Sequence, residues 1–144
     1  MRLLITSLLL ACLGPTVAAA QNSAATDIAN TETAAGQFYS SQLSLDQGFP
    51  FSDMVETTGG LIFISGLVGT DESGELVTGG LEAETHAIFR QMKTYLAHLN
   101  LDLSDVVKCL VMIDDIDQWG DFNGVYTQYF QTPYPARSAM GADG

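Results

Sequence analysis

Between residues 81 and 99, apolar side chains return at Ile88, Met92, Leu96 and Leu99, steps of four and three that gather them on one side of a helix. Glu84, Arg90, Gln91 and Lys93 fall mostly outside that stripe. Glu82 and Glu84 stand in the first turn, where acids suit the helix dipole, and Asn100 supplies a stop. A second helical pattern runs through Trp119, Phe122, Tyr126 and Tyr129-Phe130, and Pro133 and Pro135 end it. Elsewhere the period shortens. Asp53 to Thr57 and Leu61 to Ser65 read as two strands joined through Thr58-Gly59-Gly60, where glycine accepts the positive φ of a tight hairpin. Leu61-Ile62-Phe63-Ile64 is apolar on both faces, as a central strand requires. Asp71 to Gly74 has turn chemistry and Glu75 to Thr78 reads as a short following strand. Asp105 to Ile113 is a strand whose one conspicuous charge is Lys108, and Arg137 to Met140 starts extended. This order, ββ(β)αβαβ with short connections, predicts an α+β domain with two helices packed on one face of a mixed sheet.

The chain before this domain has two parts. Arg2, the apolar run Leu3 to Leu13 and the small residues Ala18-Ala19-Ala20 form the pattern of a signal peptide over residues 1–20, which predicts a periplasmic or secreted product. The apolar run is too short for a comfortable membrane span, and no integral span is expected. Attachment of lipid at Cys12 is the weaker alternative. Residues 21–47, rich in Ala, Thr, Ser, Gln and Asn, read as a flexible spacer, and the domain then occupies residues 48–144.

Charge narrows the function. Seventeen acids face five bases, and loss of Arg2 with the leader leaves four bases and a formal charge of −13. Arg90, Lys93, Lys108 and Arg137 are too few and too scattered to track phosphates, so nucleic-acid binding is not expected. Screening confines each charge to about 8 Å at physiological salt, so a local cationic pocket remains compatible with the acidic total.

Several catalytic signatures are missing from the sequence: a Walker loop, GxGxxG, a GxSxG elbow and zinc-type Cys/His spacing. His86 and His98 stand more than three helical turns apart and cannot share a metal; no metal or cofactor is expected. Cys109 reads as a small buried hydrophobe. Arg137 remains. Its planar fork, on a loop stiffened by Pro133-Tyr134-Pro135, suits bidentate capture of a carboxylate. Taken by itself, an arginine in so acidic a chain reads first as a surface ion-pair partner worth about 0–1 kcal/mol.

Six short motifs change that balance: Pro50-Phe51-Ser52, Ile64-Ser65-Gly66, Gly79-Gly80, Asp105-Val106-Val107-Lys108, Phe122-Asn123-Gly124-Val125-Tyr126 and Pro135-Ala136-Arg137-Ser138. In this order and spacing the chain from about Phe49 resembles the RidA/YjgF family. The resemblance implies a chorismate-mutase-like (YjgF-like) α+β fold in a homotrimer with sites between subunits. It also implies cofactor-free hydrolysis of reactive imines and enamines, such as 2-aminoacrylate, to 2-keto acids and ammonia. Arg137 then matches the residue that binds the substrate carboxylate, Gly66 and Ala139 match backbone positions beside it, and Phe51 and Asn123 match cleft-lining positions. Phe51 stands where imine deaminases of the family usually carry Tyr and Leu67 where they usually carry Gln, and Ser138-Ala139 lacks the cysteine that follows the arginine in many active members. By the same resemblance the family's last strand, with a glutamate that orients water, is expected to lie beyond Gly144. These departures keep open the alternative of a non-catalytic, trimeric carboxylate-binding or chaperone-like protein.

Overall fold

The computed structural model of the chain describes residues 3–6, 8–11 and 27–142, the first two stretches by their backbone alone. The elements are β1 (Leu3–Thr6), β2 (Leu8–Ala11), β3 (Ile28–Thr33), β4 (Gly36–Ser41), α1 (Gln42–Asp46), β5 (Met54–Thr57), β6 (Leu61–Ile64), β7 (Leu67–Val68), α2 (Gly80–His98), β8 (Lys108–Ile113), α3 (Trp119–Tyr129) and β9 (Ala136–Gly141). They form a five-stranded sheet ordered β2-β6-β5-β4-β3 and a four-stranded sheet ordered β7-β1-β8-β9. The chain crosses from one to the other where β6 gives way to β7 at Ser65 and Gly66. Every pairing is antiparallel except β8 with β9, so the expected mixed α+β architecture is present.

Periodicity dictates which faces are covered. Along β8, Cys109, Val111 and Ile113 are buried while Lys108, Leu110 and Met112 are only half-buried on the other face. The covered face meets Ile88, Phe89, Met92 and Leu96 of α2 and Phe122, Val125 and Tyr126 of α3 in one core. Phe89 is wholly buried and lies against Phe122, Tyr126, Tyr129 and Phe130 at ring-centroid distances of 6.4, 6.0, 4.8 and 5.5 Å. The predicted hairpin closes through Gly60 at φ 80°, and α2 stops as expected, with Asn100 at φ 58° beyond its end. The expected strand over Glu75 to Thr78 is reduced to a single bridge between Thr70 and Leu76. Among the described residues no helix is long and apolar enough to cross a membrane.

The flexible spacer is the principal correction. From Asp27 onward this stretch is a hairpin and a short helix, with β4 paired to β5 as part of the sheet. The turn into β4 uses Gly36 at φ 144°, and a side chain there would strike the Glu56 carbonyl oxygen. What orders the segment lies outside it. The buried carboxylate of Asp53 accepts from Ser41 N at 2.6 Å, Ser44 Oγ at 2.8 Å and Tyr95 Oη at 3.2 Å, tying β4, α1 and α2 together. Burial and the Asp53 charge push the Tyr95 phenol up to about 12. Residues 21–26 of the expected spacer lie outside the described residues.

The backbone of Leu3–Thr6 pairs with β8 on one side and β7 on the other, and Leu8–Ala11 pairs with β6. These stretches fall inside the expected leader.

Replacing Asp53 with Ala strands three donors at once. The Asp53→Ala chain is expected to lose about 3 kcal/mol of unfolding free energy. Urea midpoints of the two chains check this, and a loss below about 1 kcal/mol would remove Asp53 from the role given to it here.

Candidate binding site

β9 runs parallel to β8 with Arg137 in register with Cys109, which places Arg137 beside α3. On that helix Trp119, Phe122 and Tyr126 are spaced three and four apart and present their rings to one side. The Arg137 guanidinium carbon stands 4.4 Å from the Trp119 ring, 4.4 Å from Tyr126 and 5.7 Å from Phe122. The cation is therefore cradled by aromatic faces, each such contact being worth about 0.5–2 kcal/mol according to its exposure. Arg137 Nη1 is buried without a hydrogen-bond partner among the described residues, and the Tyr126 hydroxyl, also buried, lies against the Cys109 thiol.

Electrostatics follow from this packing. Burial pushes the Cys109 thiol up to about 11, against the opposing pull of Arg137. Burial and the neighbouring Cys109 likewise raise the Tyr126 phenol well above its usual range, with Arg137 again pulling downward. Cys109 is thus held as a neutral thiol, in keeping with its reading as a buried hydrophobe. Next along β9, Ser138 Oγ accepts from Lys108 Nζ at 2.7 Å.

Between α3 and the loop before β9 lies a cavity of about 310 Å³ lined by Asn123, Tyr126, Thr127, Tyr134, Pro135 and Arg137. Its volume is at the small end of ligand pockets. Arg137 brings a cation to this lining and Asn123 an amide, while the Thr127 hydroxyl is already given to the Asn123 carbonyl at 3.1 Å, so a small anion would be met chiefly by the guanidinium. Among the described residues no group of His, Cys, Asp and Glu could hold a metal ion. His86 instead shares a 2.8 Å hydrogen bond with Tyr129 Oη, and His98 meets the Tyr39 ring edge-on at 5.8 Å.

Of the five residues singled out from sequence, Arg137 and Asn123 meet in this cavity. The other three lie elsewhere on the chain. Phe51 is half exposed and stacked on Phe49 at 5.3 Å; Gly66 is exposed at the bend between β6 and β7; Ala139 is exposed on β9 opposite Val111. Sequence reasoning missed Trp119, Tyr126, Thr127 and Tyr134. The first two were visible as a helical stripe, but a stripe reads as core and does not reveal a cation crossing it.

The family model described as Endoribonuclease L-PSP matches residues 41–144, starting within the stretch assigned from sequence to the spacer. A human protein named 2-iminobutanoate/2-iminopropanoate deaminase is 39% identical over 79 residues, 54% of this chain and 58% of that protein. The match thus spans less than two thirds of that relative's length. The crystal structure of RidA from an Antarctic Psychrobacter is similar with a TM-score of 0.62 at 31% identity, covering 66% of this chain and 76% of that one. That of E. coli TdcF with bound serine gives 0.59 at 26% identity, covering 65% and 76%.

The raised thiol pKa carries a sign. An unfolded Cys109 loses its proton near its ordinary value of 9.0, whereas the folded chain holds it to about 11. Stability is therefore expected to fall as pH rises through that window, since the unfolded state then binds fewer protons. In a Cys12→Ser chain, reaction of Cys109 with a thiol-specific disulfide reagent at pH 8 should be at least 100-fold slower when folded than in denaturant. Equal rates would contradict the burial.

Proposed function

Because the chain belongs to the RidA/YjgF (Endoribonuclease L-PSP) family, we propose that it hydrolyses reactive imines and enamines of the 2-aminoacrylate kind to 2-keto acids and ammonia. The carrying observation is that Arg137 and Asn123 line one small cavity, with the guanidinium braced against aromatic rings. Arg137 grips the substrate carboxylate through its charged fork. An enamine substrate first tautomerises to the imine. Water oxygen then bonds to the imine carbon as the C=N π pair moves to nitrogen and takes one water proton, giving a carbinolamine; the C–N bond breaks as C=O forms, the hydroxyl proton passes to nitrogen, and ammonia leaves. That carbon is already electrophilic, so orientation and charge stabilisation are what the chain supplies.

The human relative's name supports the imine chemistry, and serine bound to TdcF supports a small carboxylate-bearing ligand. A polynucleotide substrate fits poorly: the chain has a formal charge of −12, and Arg90 and Lys93 stand on α2, away from the Arg137 cavity. Phe51, Gly66 and Ala139 join the site in this reading through a homotrimer, each cleft combining surfaces of two copies. Export by residues 1–20 puts the activity in the periplasm or outside the cell, where the imine source differs from a cytosolic one.

A non-catalytic carboxylate binder is the second reading. Leu67 is buried in the core, and Phe51 has no hydroxyl to donate. Both positions have lost a polar group that the active branch carries.

Release of keto acid and ammonia from an enzymatically generated imine separates the readings, with a size-exclusion mass on the same samples. Arg137→Ala is expected to lower kcat/KM at least 100-fold, about 2.7 kcal/mol of transition-state stabilisation. Turnover unaffected by that change would remove Arg137 from the mechanism, and turnover no faster than spontaneous imine hydrolysis would sink the deaminase reading. No turnover, with carboxylate binding that Arg137→Ala abolishes, would establish the binder.

A further inference from the structure

We infer that Trp119 is a positioning residue for the anion site: it does not line the cavity, and it acts by holding the Arg137 guanidinium in place. This rests on the reading of Arg137 as the carboxylate-binding group. Three observations carry it. The guanidinium carbon is equally close, at 4.4 Å, to Trp119 and Tyr126, so it is braced by two rings of one helix face. Both braces are themselves held: Trp119 stacks on the fully buried Phe122 at 5.2 Å and 13°, and Tyr126 stacks on Phe130 at 4.6 Å and 23°. In the single chain the cavity lining includes Tyr126 and Arg137 but not Trp119, which touches the arginine from outside that lining.

The physical effect is preorganisation. An arginine side chain carries about 2 kcal/mol of rotamer entropy, and a group that must be immobilised on binding charges that cost to affinity. A stacked guanidinium has met much of it in the free protein. Ring faces also hold the cation without neutralising it, as a carboxylate partner would. Among the described residues these rings face the guanidinium, and its Nη1 has no hydrogen-bond partner.

Trp119 is the chain's single tryptophan, so its emission reports this site alone. Titration of the full chain with pyruvate, the keto acid formed from 2-aminoacrylate, is expected to change that emission saturably, and Arg137→Ala should abolish the change. Trp119→Leu should raise the calorimetric Kd for pyruvate, and KM for the imine, about tenfold while kcat stays within about threefold. Trp119→Phe, which keeps a ring face, should return Kd to within about threefold of the parent.

Unchanged Kd in Trp119→Leu, with binding lost in Arg137→Ala, would overturn the positioning role and leave the function standing. Equal losses of kcat and affinity in both Trp119 variants would also overturn it, as the mark of a purely structural residue. Pyruvate binding that survives Arg137→Ala, or a parent chain that neither binds pyruvate nor turns over imine, would overturn the underlying reading and this inference with it.

Discussion

Everything that positions the site depends on one packing constraint, the fit of Phe89 of α2 among Phe122, Tyr126, Tyr129 and Phe130. These contacts fix how far along α2 the shorter helix sits and how it is rotated. Once Val125 and Phe130 are committed to the core, the Trp119 edge of α3 can face only β9. Loss of a wholly buried phenylalanine side chain costs about 3–5 kcal/mol, so the helix pair has little freedom to slide. Phe122 and Tyr126 belong to both assemblies. They are core residues on one side and part of the arginine's cradle on the other.

The sheet supplies the second coordinate. Parallel pairing to β8 sets Arg137 in register with Cys109, and β8 is itself held by β1 on its other edge. The stretch Leu3–Thr6, part of a longer apolar run, therefore fits two demands. An export signal needs an uncharged hydrophobic stretch, and so does a strand enclosed between two others. Removal of such a strand leaves β7 and β8 with facing unpaired backbone groups, the kind of edge that other strands occupy readily. The export signal expected from sequence and the sheet thus draw on the same residues. The sequence pattern alone cannot separate them, because both select for the same chemistry.

The urea comparison proposed for Asp53 bears on why some of the fold was readable and some was not. The two long helices and the hairpin closed at Gly60 were legible because each carries its own period or turn chemistry, and the strand read over Asp105 to Ile113 was legible from its apolar run, although it begins only at Lys108. Residues 27–47 were not, because their order comes from elsewhere: the Asp53 carboxylate draws in Ser41 and Ser44, and β5 offers an edge to β4. A polar composition that looks like a spacer is compatible with a strand when its hydrogen-bond partners lie outside the window being read. The site divides in the same way. Arg137 and Asn123 stood out through short motifs and do share a cavity, whereas Phe51, Gly66 and Ala139 lie on other surfaces of the single chain. The cradle was hidden, since spacing on a helix tells which residues share a face and not what will lie across it.

Aromatic support for the arginine also resolves a difficulty posed by composition. With seventeen acids in the chain, a lone cation invites pairing with a neighbouring carboxylate, and a paired guanidinium is a poor receptor for a second anion. The Trp119 and Tyr126 rings, each 4.4 Å from the guanidinium carbon, cover it while their π faces favour the positive charge. An ion pair would also hold the side chain still, but it would neutralise the charge in doing so. Under a strongly acidic total charge, rings are the partners that can order an arginine and leave its charge for a ligand, which is what the sequence-level reading of Arg137 as a surface ion pair could not have anticipated.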